Sequence, residues 1–186
     1  MTIRTFIALE IPDEALSEVV KIRDENYREQ SRIKWEPVEK LHLTLKFLGD
    51  TEEKLVDKIS NDISNIISNN SVPNLSFSGF GIFKRNGQAK ILWIGIKEDQ
   101  KLLDLVNSIE DVCSNYGFPK EKRSFKPHIT ILRIRGHEDL DKLYNLSHVK
   151  FEPINFTSSA ITFFKSELKP FGSTYTALQK FYLKKE

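Results

Sequence analysis

A single cysteine, Cys113, stands in a chain of 186 residues. One thiol closes no internal disulfide and builds no thiolate metal cluster. It lies in the helical pattern LLDLVNSIEDVCSNYG and is expected to be a buried, reduced thiol. No apolar run approaches the roughly 20 residues of a membrane-spanning helix. The stretch MTIRTFIALEIPDE has neither the apolar core nor the small-residue cleavage site of a signal peptide. A soluble, reduced, cytoplasmic protein with no membrane association is therefore expected. The formal charge is only +2, so the overall balance announces no nucleic-acid partner. Gly/Ser-rich and Pro-rich linkers are missing, so lobes, where there are any, should be packed rather than tethered. Histidine is scarce too, at His42, His128, His137 and His148. HExxH, CxxC and carboxylate clusters are absent, as are GxSxG and GxxxxGK[ST]. These gaps remove the common zinc, serine-nucleophile and phosphate-loop chemistries.

What is present has an order. IRTFIALEI reads as a strand ending at Pro12, and DEALSEVVKIRDENYREQ as a helix. LHLTLKFL alternates and makes a strand. A helix follows, with Asp50 as expected cap, Glu53 completing a capping box, and an apolar stripe at Leu55, Ile59, Ile63 and Ile66. LSFSGFGIF and KILWIGI form a hairpin around Asn86-Gly87, and the glycines of GFGIF suggest a bulge or a close backbone approach. The order then recurs: a helix stopped by Gly117, the strand PHITILRI, a short helix HEDLDKLYNLSH, then the strands KFEPINFT and SAITFFKS, with TYTALQKFYLKK last. The expected fold is α+β, a bilobal pseudo-twofold duplication. Two mainly antiparallel sheets would face each other across a central groove, with helices outside. One domain would span residues 1–186, with lobes at 12–97 and 98–174 and terminal strands that the sequence leaves unassigned.

The duplication centres on one motif. HLTLKFLG begins at His42 and HITILRIRG at His128. Side chains alternate along a strand, so His42 and Thr44 share a face, opposite Leu43, Leu45 and Phe47. His128 and Thr130 share a face, opposite Ile129 and Ile131. One histidine on a strand is ordinarily solvated or satisfied by a backbone group. The same pair in matching places of two matching halves points instead to a joint site. Two imidazoles across a groove suit in-line displacement at phosphorus, one as base and one as acid, because histidine titrates near neutral pH. Threonine hydroxyls can donate to the non-bridging oxygens. Without a metal to make hydroxide, such a site favours a strained cyclic phosphate. His137 and His148 read as capping or surface residues.

Charge is concentrated locally. KEKRSFKPHITILRIR holds Lys120, Lys122, Arg123, Lys126, Arg133 and Arg135 against Glu121 alone. Such a run suits either solvated surface or an RNA backbone, with Lys122, Arg123 and Lys126 as candidate contacts. Arg133 falls on the apolar face under strict alternation, so the strand must end, bulge or twist there for it to reach the groove. Lys46 has the parity of His42 and is a candidate phosphate contact.

These residues resemble the two-histidine phosphoesterase superfamily, whose signature is a pair of HxT/Sx motifs. RTFIALEIP, KWEPVEKLHLTLKFLGD, FKPHITILR and FFKSELKPFGSTYTALQKFYL are similar to its RNA 2′,3′-cyclic phosphodiesterase branch, also called 2′-5′ RNA ligases. The resemblance implies hydrolysis of 2′,3′-cyclic phosphate ends to 2′-phosphates, with no metal or nucleotide cofactor. It implies His42 as general acid, His128 as general base, Thr44 and Thr130 as phosphate binders, and Arg133 as the arginine of HxTxxR. The flanking charges agree: a cationic neighbourhood favours neutral His128, and the less positive flank of His42 lets it keep its proton. The expected partner is RNA with 2′,3′-cyclic phosphate ends, tRNA fragments among them, acted on by a monomer. Reverse joining of such ends to a 5′-OH follows by microscopic reversal. Two rivals are an enzyme acting on small cyclic nucleotides or 2′-5′ oligonucleotides, and a non-catalytic RNA-end-binding module.

Overall fold

The strands form two four-stranded antiparallel sheets in the computed structural model, which describes residues 1–27, 33–68, 70, 73–97, 99–170 and 172–184. β1 (Thr2–Glu10), α1 (Asp13–Asn26) and β2 (His42–Glu52) come first. A 3-10 turn, Val38–Lys40, leads directly into β2. α2 (Glu53–Ser68), β3 (Asn74–Arg85), β4 (Gln88–Ile96) and α3 (Gln100–Asn115) follow. The chain continues with β5 (His128–Arg133), α4 (Leu140–Ser147), β6 (Asn155–Thr157), β7 (Ala160–Lys169) and β8 (Gly172–Tyr182). The strand orders are β2-β1-β7-β8 and β5-β4-β3-β6. Each motif strand is therefore an edge strand, and the two edges approach one another.

The sheets do not follow the sequence halves. β3 and β4 lie within residues 12–97, yet they pair with β5 and β6. The terminal strands β1, β7 and β8 all join the sheet of the first motif. The repeat instead starts one strand earlier than its helix: β1-α1-β2 and β4-α3-β5 each place a motif strand antiparallel to the strand before it. Buried side chains of both sheets belong to one hydrophobic cluster, among them Leu9, Leu43 and Phe163 of one and Leu92, Ile94 and Ile129 of the other.

Local chemistry explains most element boundaries. Ile7, Ala8 and Leu9 are fully buried, as a continuous apolar run inside a sheet should be. α2 buries Ile59, Ile63 and Ile67, with Leu55 and Ile66 flanking the stripe. The expected capping box is not formed. β2 runs on to Glu52 with Asp50 opposite Arg4, and the Glu53 N–H donates to the Met1 carbonyl instead. Asp99 caps α3 by accepting from the Leu102 N–H. At the other end of α3, Gly117 (φ 87°) and Phe118 return N–H bonds to Ser114 and Cys113, a Schellman closure. Asn86 (φ 51°) and Gly87 (φ 75°) make the two-residue turn of β3 and β4. Both readings of GFGIF hold. The register skips Ser78 beside Gly79, and a Cβ on Gly81 would lie 2.2 Å from the Trp93 ring.

Bulges decide which side chains the motif strands present. In β2, Thr44 faces Ala8 and Lys46 faces Ile7, leaving Leu45 as the extra residue. In β5, Thr130 faces Trp93 and Leu132 faces Leu92, leaving Ile131 as the extra residue. The bulge expected before Arg133 is present. Ile131 and Leu132 are both buried, and Arg133 emerges beyond them. The equivalent bulge in β2 has two effects that alternation did not predict. Lys46 is buried and Phe47 is exposed, so Phe47 does not join Leu43 and Leu45.

Candidate active site

His42 and Thr44 on β2 and His128, Thr130 and Arg133 on β5 line one cleft. Two bulged edge strands meet there, each turning its His-x-Thr face inward. The two histidines are held alike. Nδ1 of His42 lies 2.7 Å from the Lys40 carbonyl, and Nδ1 of His128 lies 2.7 Å from the Lys126 carbonyl. A carbonyl oxygen only accepts, so Nδ1 carries the hydrogen in both rings. Nε2 is then the nitrogen left for proton transfer on each side.

Aromatic rings fix both imidazoles. Phe6 stacks on His42 at 4.9 Å, Tyr175 meets it edge-on at 5.4 Å, and Phe164 lies behind at 6.2 Å. Phe83 meets His128 edge-on at 4.8 Å, with Trp93 at 6.3 Å. Burial pushes the His42 pKa below the ordinary histidine value. Its bond to Lys40 opposes this, and the Arg133 guanidinium lowers it further. The expectation from flanking charge is thereby overturned. Arg133, though carried on the strand of His128, acts across the cleft on His42, so nearby cationic charge does not favour a protonated His42.

Arg133 is positioned by Glu36, whose Oε1 lies 3.2 Å from its Nε. Glu36, Lys40 and Tyr175 complete the cleft. The sequence reading missed all three. Only proximity to the motif marked Glu36, and nothing marked Tyr175 within the β8 pattern. Lys40 did leave a signal, since KLHLT and KPHIT both place a lysine two residues before the histidine.

Lys46 is tied into the fold, although it also borders a wide groove beside the cleft. It is 6% exposed, donates to Glu110 Oε2 at 2.5 Å and to the Pro119 carbonyl at 2.7 Å, and so joins β2 to α3 and the loop after it. Arg123 and Lys126 line a second, wider groove that shares Thr44 and His128 with the cleft. That groove has a volume of about 910 Å³ against about 50 Å³ for the cleft. The small cleft suits a reacting phosphate, and the wide groove suits a longer chain. Phe47, Phe83 and Lys84 also line the groove, whereas Lys122 is exposed beside it. His137 and His148 flank α4, where His148 Nδ1 meets the Tyr144 carbonyl, as their capping and surface reading expects. Cys113 is buried and its pKa is pushed up to about 12 by desolvation, which leaves no thiolate at neutral pH. Among the described residues, no three His, Cys, Asp or Glu side chains come together as a metal site. No described helix is long and apolar enough to cross a membrane.

The profile of the 2′-5′ RNA ligase superfamily matches residues 11–170. The chain belongs to that superfamily. A relative from Thermotoga maritima, named RNA 2′,3′-cyclic phosphodiesterase, is 30% identical over 94% of this chain and 92% of its own. One of the same name from Methanothermobacter thermautotrophicus is 29% identical over 98% and 100%. The fold is similar to that of TT0787 of Thermus thermophilus, with a TM-score of 0.80, 24% identity, and 98% and 99% of the two chains covered. It is also similar to LigT of E. coli solved with 3′-AMP, with a TM-score of 0.75, 22% identity and the same coverage.

Proposed function

We propose that this member of the superfamily hydrolyses 2′,3′-cyclic phosphate ends of RNA to 2′-phosphates, by metal-independent acid–base catalysis between two histidines. One observation carries the reading: both imidazoles are tied through Nδ1, which leaves Nε2 for proton transfer, and both line a single cleft with two threonines and an arginine. The names of the curated relatives support the choice of a cyclic RNA phosphate.

His128 Nε2 takes a proton from water, whose oxygen attacks phosphorus in line with the P–O3′ bond. That bond breaks, and O3′ leaves with a proton from His42 Nε2. Phosphate remains on O2′. The assignment of acid and base rests on the resemblance of the two motifs. An arriving phosphate anion helps it, because negative charge beside His42 opposes the effect of burial and Arg133 and restores the proton that an acid needs. Thr44, Thr130 and Arg133 bind the non-bridging oxygens, where charge accumulates. The same in-line step with a 5′-OH in place of water would break P–O3′, protonate O3′ and leave the two ends joined through a 2′-5′ linkage. One chain supplies both histidines, so a monomer suffices.

The test is incubation of an RNA carrying a 2′,3′-cyclic phosphate with chelated protein, followed by phosphorus NMR. A 2′-monoester formed at a rate within about twofold of the unchelated rate is expected. A 3′-monoester, or activity that returns only with added Zn²⁺ or Mn²⁺, would overturn the mechanism.

A further inference from the structure

Glu36 is out of place in a site for anions. Its carboxylate belongs to the cleft that holds both histidines, and it is tied to Arg133. Its backbone is fixed as well, because its N–H donates to the carbonyl of Ile131 at 2.9 Å. Ile131 is the bulge residue of β5, so the feature that brings Arg133 round also anchors the acid beside it. A carboxylate there repels any phosphate, and the repulsion grows with the charge on the phosphate.

The substrate and product of the proposed reaction differ in that charge. A cyclic diester carries one negative charge at every pH of interest. A monoester carries a second above its second pKa of about 6. The fixed charges lining the cleft are Lys40 and Arg133 against Glu36, so the carboxylate offsets one of two cations. That offset costs a dianionic monoester more than a monoanionic diester.

We propose that Glu36 speeds product release, by weakening the dianionic 2′-phosphate relative to the monoanionic cyclic ester. This rests on the functional reading above. The groups that share the cleft with Glu36 are Arg133 and His128 from β5, Lys40 and His42 at the start of β2, and Tyr175 from β8. Both ligands meet both histidines, so the comparison isolates the charge on the ligand.

Adenosine 2′-monophosphate and its methyl ester, a permanent monoanion, are titrated calorimetrically into the wild-type protein and Glu36→Gln at pH 8 and pH 5. Glutamine can still accept from Arg133 Nε, so the variant removes charge and keeps the anchor. At pH 8 the variant should gain roughly tenfold more affinity for the monoester than for the methyl ester, the scale of one unit charge acting at short range through high effective dielectric. At pH 5, where the monoester is itself a monoanion, the difference should disappear. Equal changes for both ligands at pH 8, or a difference that persists at pH 5, would overturn the proposal in an otherwise active enzyme. A wild-type protein that opens no 2′,3′-cyclic phosphate would overturn the functional reading instead, and with it the product whose release is at issue.

Discussion

His42 and His128 make the same backbone bond in different surroundings. Replacing either by alanine should reduce turnover by about 10²- to 10⁴-fold, the usual contribution of a positioned acid or base. Single-turnover rates with a cyclic-ended RNA check this, and near-normal activity in either variant would end the joint-site reading. Thr44→Ala or Thr130→Ala should cost less, about 1.5–3 kcal/mol for one hydrogen bond to a charged group. The lowered pKa of His42 sets the sign of a pH effect. An acid must be protonated, so kcat/KM should fall as pH rises through the free-enzyme pKa of His42, which burial holds below the ordinary histidine value. Bound phosphate raises that pKa, so the alkaline limb of kcat should lie at higher pH than that of kcat/KM. Coincident limbs, or the reverse order, would contradict His42 as the acid. At this scale the sequence displayed the two histidines, the two threonines and Arg133, because each motif carries its own strand context. Glu36 and Tyr175 were hidden, because their roles come from a loop and a distant strand folding onto the cleft.

The bulge is the element-level device. It shifts one strand by a single residue, which sends Arg133 out to the cleft and Lys46 into the interior. Parity alone gave the need for a bulge in β5, since a guanidinium on an apolar face is costly. Parity gave no such warning in β2, where a lysine on the polar face conflicts with nothing, and the burial of Lys46 was not foreseen there. Lys46→Ala should therefore act on stability, by about 1–3 kcal/mol, because the half-buried Glu110 carboxylate loses its charged donor and keeps the Glu121 N–H. Urea unfolding checks this, and an unchanged midpoint with a raised KM would restore the phosphate role. Gly81→Ala tests the neighbouring hairpin. The added methyl group must displace the Trp93 ring, which stands beside Phe83 and His128. A loss of about 1–3 kcal/mol in stability is expected from such overpacking, together with slower turnover. Turnover that stays normal while stability falls would show that Trp93 does not position His128.

Across the whole molecule, the wide groove gives a different readout from the cleft. Neutralising Arg123 and Lys126 together should flatten the log–log salt dependence of oligonucleotide binding, by roughly 0.7 per lost contact on a single strand. A mononucleotide should scarcely respond, and an unchanged oligonucleotide slope would mark both residues as mere surface. The α+β class, the antiparallel sheets and the paired motifs were legible in periodicity and repetition. The pairing of strands was not. Periodicity tells which residues face a core but carries no address for the partner strand, so β3 and β4 read as belonging to the half in which they occur.

That pairing also sets the order in which the chain can be completed during synthesis. The strands of the second motif's sheet lie within one continuous stretch, from Asn74 to Thr157. The sheet of His42 is different. Thr162 reaches Glu10 across 152 residues, and Lys180 reaches it across 170. Tyr175, which flanks His42, belongs to the same late hairpin. A chain emerging from the ribosome can thus assemble the His128 side while the His42 side still awaits its last two strands, and closing so long a loop comes late and slowly. The cleft is then not complete until β8 has been made, so a chain cut short before that strand is an inactive one.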